Sequence, residues 1–311
     1  MKVLVTGCAG FIGARVVEIL IDGGDEVAGI DDLSGQNHRL PRLEGLRGFQ
    51  SHRLDISEGC YYGGRLGQIF VNGRFDALIH LAAKTGVRAS ITNPLEYMKS
   101  NAGGTMNMLA LCAKYGIRKF ILASTSSLYG ITDGTPSKET DPTNALSPYA
   151  ASKLGAEAAC EAAHHLHGID VSILRYFTVY GPDGRPDMFV YRACEAAVNG
   201  TPLTIYGDGG QSRDYTYIDD IAQGTIAALE PVGCEVINLC AGNSVSLLDV
   251  IDSVADRPIK CRHEQQSPAD VPTTLGDNDK AHRLLDWSPR VGINEGLAAT
   301  LRYHRSTLGS P

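Results

Sequence analysis

In the stretch SPYAASK, Tyr149 and Lys153 stand four residues apart. On a helix the two side chains share one face, about 6 Å apart along the axis. An ammonium so placed stabilises a phenolate and draws the tyrosine pKa down from its ordinary value of about 10, which makes Tyr149 a usable general base. Tyr/Lys pairs at this spacing also occur on ordinary helix surfaces, so a second signal is needed. It comes from STSS, Ser124–Ser127, which follows an apolar run that reads as a strand. The Thr125 hydroxyl, about 24 residues before Tyr149, can hydrogen-bond the same substrate oxygen and relay its proton.

A second set of residues carries phosphate chemistry. In VLVTGCAGFIGARVVEIL, Gly7, Gly10 and Gly13 follow the first apolar run, and Phe11 and Ile12 stand where a helix begins. Positions without side chains let the backbone approach a pyrophosphate, and the helix N-terminus meets its charge. The next apolar run, EVAGIDD, ends in Asp31 and Asp32 about 20 residues on. Asp31 is placed to accept hydrogen bonds from an adenosine ribose and to repel a 2′-phosphate, which favours NAD over NADP. Arg39, Arg42, Arg47 and Arg53 follow and read as a solvated loop face. Asp55 and Ile56 in LDIS, and Leu81, Ala82, Ala83 and Lys84 in HLAAK, fall after the third and fourth strands at the same sheet edge, where they can hold adenine and the cofactor backbone.

These residues need a scaffold. Lys2–Thr6, Glu26–Ile30, Ala77–Leu81, Lys119–Ala123, Val171–Arg175 and Val236–Leu239 read as strands, and Ile12–Asp22, Pro94–Tyr115, Pro148–His167 and Pro186–Asn199 as helices. Continuous apolar strands separated by helices imply an α/β fold, a doubly wound parallel sheet covered on both faces. The expected division is a dinucleotide-binding domain over residues 1–175 and a smaller substrate-binding lobe over 176–311, interleaved with late strands near 212–240 that rejoin the sheet. The lobe closes over the carboxyl ends of the strands, where such sheets bind ligands. A net charge of −7 over 311 residues argues against nucleic-acid and anionic-membrane partners. With no signal-peptide core and no long apolar run, a cytoplasmic location is expected. Eight cysteines without a CxxC pair read as reduced thiols, and His164, His165 and His167 as the cationic end of a helix before Gly168, so no metal is expected.

Together, TGCAGFIG, HLAAKTGV, SPYAASK, RYFTVYGP and SRDYTYIDDIAQG resemble an extended short-chain dehydrogenase/reductase of the nucleotide-sugar epimerase/dehydratase group over nearly the whole chain. Within that group YGPDGRPDMF and AKTGVRASITNP are most similar to UDP-glucuronate 4-epimerases. The resemblance implies that Tyr149 is the base, Lys153 its pKa modulator and a nicotinamide-ribose contact, and Thr125 the hydroxyl partner. It also implies that Ser124 and Tyr176 join the NAD contacts, that Arg213 meets the substrate pyrophosphate and that Asp270 lies near the nucleoside. Arg88 is a further cationic candidate for the substrate or its pyrophosphate. A homodimer through the helices at 94–115 and 148–167 is implied by the resemblance as well.

Members of the group begin alike: the base takes the sugar 4-OH proton while the C4 hydride passes to NAD. In the dehydratase and decarboxylase branches carboxylates follow the catalytic threonine, whereas this chain has Ser126 and Ser127 there. Epimerisation needs neither carboxylate, because the keto sugar only turns its other face and takes the hydride back. Arg185, held between Gly184 and Pro186, is the candidate for a uronate carboxylate, with Thr178 and Ser127 adding hydrogen bonds. Asp183, where the resembled pattern has an aromatic residue, stands two positions away and can neutralise that charge, and Asp187 is equally near in sequence. UDP-glucose/UDP-galactose 4-epimerisation, with Arg185 serving structure, is the alternative reaction. A non-catalytic NAD-binding sensor or scaffold is the alternative of another class.

Overall fold

A computed structural model describes residues 1–35, 37–58 and 64–308. Cys60, one of the eight cysteines, lies outside the described residues. The largest sheet contains β1 (Lys2–Thr6), β2 (Glu26–Asp31), β3 (Phe49–Arg53), β4 (Ala77–His80), β5 (Lys119–Thr125), β6 (Asp170–Tyr176) and β10 (Cys234–Leu239). Its order is β10-β6-β5-β4-β1-β2-β3, and every pairing is parallel. Val3, Leu4 and Val5 are fully buried, as are Phe120, Ile121 and Leu122, because helices cover both faces and leave neither side of a strand to water. Two apolar clusters form, one on each face, the first around Val5, Val17 and Ile79 and the second around Leu4, Leu78 and Phe120. Strand order reverses between β1 and β4, and the crevice at that reversal is where the glycine turn, Asp31 and Leu81–Lys84 converge.

The remaining strands do not all follow the sequence expectation. β7 (Thr178–Tyr180), β9 (Ser212–Tyr217) and β11 (Ser244–Ser246) make a separate three-stranded sheet, and β8 (Leu203–Tyr206) pairs with β12 (Cys261–Glu264). Of the late strands expected to rejoin the large sheet, only β10 does so, beside β6. β9 instead pairs with β7 and β11, partners far apart in sequence that periodicity does not reveal. A third apolar cluster around Tyr180, Cys194, Tyr215 and Val250 packs this part of the chain.

Two helices also differ. The single helix expected over Pro94–Tyr115 is an α-helix at Pro94–Tyr97, a π-helical segment at Met98–Gly103 and an α-helix at Gly104–Tyr115. The wide turn swings Asn101 inward, where its amide grips both the N–H and the carbonyl of Lys84 and donates to Ser152. The helix expected from Pro186 begins at Phe189, after Met188 in extended geometry (ψ 146°).

Gly7 sits at φ +72°, and a Cβ there would lie 2.6 Å from the Ala82 amide nitrogen. A Gly13 Cβ would lie 2.0 Å from the Gly7 carbonyl oxygen, so the first helix starts directly against the turn. Gly7→Ala combines a left-handed backbone with a backbone clash, and is expected to cost about 2–4 kcal/mol. Urea unfolding of the variant measures this, and stability equal to the parent would show that the turn relaxes freely.

Candidate active site

The catalytic face is set by the helix Pro148–His167. Ser147 caps it by accepting the Ala150 N–H at 3.1 Å, Pro148 takes the first turn, and Gly168 at φ +62° ends it beyond a last turn carrying three histidines. His164 Nδ1 is engaged with the Ile169 carbonyl at 2.8 Å. On this helix Tyr149, Lys153 and Glu157 recur every four residues and so form one row. Lys153 is 3% exposed, and its burial lowers its pKa to about 8, with the Glu157 charge opposing the shift. Burial pushes Tyr149 above its ordinary value, and the groups that oppose this are the Thr125 hydroxyl, by a hydrogen bond, and the Arg185 charge. The sequence expectation that Lys153 draws the tyrosine towards neutrality is therefore reversed in direction. Desolvation disfavours the phenolate and outweighs the Thr125 hydrogen bond and the Arg185 charge, and Lys153 is not among the groups that oppose it.

Glu157 anchors the row. Its carboxylate accepts from Ser124 Oγ at 2.5 Å on β5, and from Arg175 Nε at 3.1 Å and Nη2 at 2.8 Å on β6. The Arg175 guanidinium lies over the Tyr129 ring at 4.9 Å, and the Tyr129 hydroxyl donates to Asn238 on β10. Ser124 is thus a structural contact through its side chain. The Tyr176 side chain is likewise turned into the core, with its hydroxyl 2.8 Å from Thr225 Oγ1, so for both residues only the main chain is left for a cofactor. Thr125, at the end of β5, donates to Ser127 Oγ and accepts the Ser127 N–H, each at 3.1 Å, in a short turn that also holds Ser126. Tyr97 stacks edge-on against Tyr149 with centroids 6.2 Å apart and donates to the Thr85 carbonyl.

On the cofactor side the first helix, Phe11–Asp22, begins at Gly10 without any side-chain cap, so its leading amides are free to meet an anion. Gly7 donates to the Ile30 carbonyl at 2.7 Å, and Ala9 to Asp31 Oδ2 at 3.0 Å, which ties the turn to the end of β2. Burial raises the Asp31 pKa against the pull of the Ala9 and Leu33 amides. Asp32 accepts from Ser34, whose hydroxyl also receives Lys84 Nζ at 3.0 Å. Asp55 accepts from the Ser57 N–H and hydroxyl, Ile56 is buried beside Gly104, and the Ala82 N–H reaches Thr6 Oγ1. Gly7, Gly10, Phe11, Ile12, Gly13 and Asp31 therefore come together at the strand-order reversal with Leu81, Ala82, Ala83 and Lys84.

The substrate side corrects two readings. Asp183 does not neutralise Arg185: its Oδ1 is 2.6 Å from His38 Nε2, and its Oδ2 is 3.0 Å from Arg39 Nε. Arg39, read from the sequence as part of a solvated face, is 2% exposed because it is drawn under this loop. Arg185 pairs instead with Asp187, through Nε at 3.0 Å and Nη2 at 2.5 Å. It lines a small cavity with Thr178 and Tyr215. Arg88 donates to Asp270 Oδ2 at 2.6 Å and stacks on the Tyr206 ring at 3.4 Å. Arg213 is bound by the carbonyls of Ser212 and Pro272, and burial lowers its pKa, with Asp270 opposing and Arg88 adding to the shift. Asn101, Tyr97, Glu157, Arg175 and Tyr206 were not singled out from sequence. Glu157 was findable by extending the four-residue spacing of Tyr149 and Lys153, and the Gly103–Gly104 pair marked the break near Asn101.

The profile of the NAD dependent epimerase/dehydratase family matches residues 3–240. The chain belongs to that family. It is 42% identical to a UDP-glucuronate 4-epimerase of Thermodesulfobacterium geofontis, with 98% of this chain and 96% of the relative covered. Among solved structures it is similar to the UDP-glucuronic acid 4-epimerase of Bacillus cereus in complex with UDP-glucuronic acid and NAD, at TM-score 0.90 and 37% identity over 98% of this chain and 99% of that one. It is also similar to the UDP-glucose 4-epimerase of Thermus thermophilus in complex with NAD, at TM-score 0.91 and 31% identity over 99% and 100%. As a member of the epimerase/dehydratase family the chain is NAD-dependent, and the uncapped first helix and the buried Asp31 carboxylate suit a pyrophosphate and a ribose diol.

Lys153 gives this site a pH signature. Its folded pKa of about 8 lies below the ordinary 10.5, so between those values the folded chain binds fewer protons than the unfolded one. Stability therefore rises with pH across that window, while below pH 8 the full cost of burying the ammonium is present. Lys153→Met is expected to be the more stable chain at pH 7, by up to roughly 3 kcal/mol, with the gap closing between pH 8 and 10.5. Urea unfolding across that range measures it, and a gap that widens with pH would contradict the assignment.

Proposed function

We propose that the chain interconverts UDP-glucuronate and UDP-galacturonate by NAD-dependent epimerisation at C4, through a transient 4-keto sugar. The observation that carries the substrate class is Arg185. Its guanidinium is close enough to Tyr149 to oppose the rise of the tyrosine pKa, and Asp183, the residue expected to neutralise it, is engaged elsewhere. Its own partner, Asp187, is 57% exposed, a carboxylate that a substrate carboxylate can replace.

In this reading Tyr149 acts as the phenolate, a form that the Thr125 hydroxyl and the Arg185 charge favour against burial; its Oη takes the proton of the sugar 4-OH, and Thr125 Oγ1 shares the hydrogen bond to that oxygen. Bound NAD supplies the acceptor for the C4 hydride. Lys153 adds positive charge on the helix face of the tyrosine and would hold the cofactor ribose by a hydrogen bond. Oxidation at C4 creates a β-keto acid, which loses CO2 when its carboxylate stands perpendicular to the new carbonyl. Arg185, with Thr178 and Ser127, holds the carboxylate out of that orientation. Ser126 and Ser127 offer no carboxyl group to assist elimination or decarboxylation, so these positions do not compete with reduction of the keto sugar. Arg88 and Arg213 meet the pyrophosphate and Asp270 the nucleoside.

The division into a cofactor half, residues 1–175, and a substrate half, 176–311, belongs to the same proposal. So does a homodimer: Leu95, Met98, Met106 and Leu154 are exposed apolar side chains on the helices at 94–115 and 148–167, and a second copy of that face would cover them.

Incubation with UDP-glucuronate, UDP-glucose and their C4 epimers tests the substrate. The expected product from UDP-glucuronate is UDP-galacturonate without UDP-pentose. Arg185→Ala is expected to lose on the order of 100-fold in kcat/KM on the uronate, while UDP-glucose binding changes less than about threefold. Comparable turnover of UDP-galactose and UDP-galacturonate by the parent chain would favour the neutral-sugar alternative.

A further inference from the structure

The loop Gly181–Asp187 carries Arg185, and its geometry is set from outside the substrate half. Asp183 adopts φ +60°, a left-handed conformation that a non-glycine residue holds only when its surroundings enforce it. The enforcing group is Arg39. Its Nη2 donates both to the Asp183 main-chain carbonyl and, at 3.2 Å, to Asp183 Oδ1, while its Nε lies 3.0 Å from Oδ2. The residue is thus gripped by backbone and side chain together. His38 Nε2 adds a contact to Oδ1 at 2.6 Å, and the Asp183 charge raises the pKa of Tyr303 on the C-terminal helix Ile293–Leu308, after burial. Arg42, the other guanidinium nearby, is occupied by Glu18 at 2.7 Å.

Among the described residues Asp183 is the one carboxylate in contact with Arg39. Burial lowers its pKa, and the Asp183 charge is the first effect opposing that shift. The guanidinium also lies over the Phe11 ring at 5.9 Å, and a Cβ at Gly184 would come within 3.9 Å of that ring. Phe11 opens the helix at the glycine turn, and Arg39 lies on the segment that follows Asp31 and Asp32. The pair therefore straps the loop onto the cofactor-binding turn. On its other side the loop is closed by the Met188 N–H, which donates to the Arg185 carbonyl at 3.1 Å. Between residue 183 and Met188 lie Gly184, Arg185, Pro186 and Asp187, and the Met188 bond already closes the last three into a turn, so only Gly184 separates residue 183 from Arg185 and the position of residue 183 sets where Arg185 emerges.

We propose that Asp183 is a positioning residue for uronate recognition: held by Arg39 and His38, it fixes Arg185 at the sugar site and ties that arginine to the cofactor-binding turn. The proposal rests on the uronate reading above. The residue that in sequence looked like a competitor for Arg185 is on this account what sets Arg185 in place.

Asp183→Asn tests it, because asparagine tolerates the left-handed backbone and keeps the shape while removing the charge. The expected result is a roughly tenfold rise in KM for UDP-glucuronate with kcat changed less than about threefold, and UDP-glucose binding within about twofold of the parent chain. Arg39→Lys keeps the charge but loses the fork that grips residue 183 twice, and the same selective loss is expected. The double variant Asp183→Asn/Arg185→Ala is expected to be no worse than Arg185→Ala alone, since one residue acts through the other. A parent-like KM in both Asp183→Asn and Arg39→Lys, an equal loss on both sugars, or additive losses in the double variant would overturn the positioning role. Arg185→Ala separates the two levels. If it loses the uronate while Asp183→Asn does not, the positioning role fails and the uronate reading stands; if it loses nothing, the uronate reading itself fails.

Discussion

The buried ion pair between Glu157 and Arg175 is the contact on which the geometry of the catalytic face depends. The side chains are 4% and 5% exposed and 2.8 Å apart, and the Ser124 hydroxyl completes the set. Such pairs add little net stability once desolvation is counted, but removing one partner strands a charge and costs about 3–5 kcal/mol. Here the pair fastens the helix Pro148–His167 to β5 and β6 at a single point. Lys153 and Tyr149 follow one and two steps up the same helix face, about 6 and 12 Å away along the axis, which carries them to the end of β5 where Thr125 stands. Burial then gives both groups their character: an ammonium that titrates near 8 and a phenol that holds its proton more firmly than in water.

The substrate side follows a different electrostatic rule. Each of its guanidinium groups already has a partner: Asp270 for Arg88, Asp187 for Arg185 and backbone carbonyls for Arg213. An anionic substrate therefore exchanges partners at Arg88 and Arg185, whereas at Arg213 it meets a cation held by backbone carbonyls and, among the described residues, in no ion pair. Exchange of this kind favours specificity over raw affinity, because a neutral sugar leaves the resident pair intact and a carboxylate must displace it.

Features with local causes were legible in the sequence. Ser147, Pro148 and Gly168 bound the catalytic helix at both ends through a cap, a preset φ and a left-handed stop, and the glycine turn with Asp31 marked the cofactor crevice. Features with distant causes were not. The π-helical turn at Met98–Gly103 exists because Asn101 reaches Lys84 and Ser152, and β9 leaves the large sheet because its partners are β7 and β11. The direction of the Tyr149 shift depends on burial, which four-residue spacing does not encode. Nearness in sequence misled at Asp183: its left-handed backbone turns the carboxylate away from Arg185 and towards Arg39, a residue 144 positions earlier.

In the proposed reaction one site oxidises C4 and returns the same hydrogen to it with the carboxylate kept in place. Conversion of UDP-glucuronate deuterated at C4 measures this directly, with the products analysed by mass and by NMR. The expected result is UDP-galacturonate that retains the label at C4. Loss of the label to solvent, or release of carbon dioxide with a UDP-pentose, would contradict it.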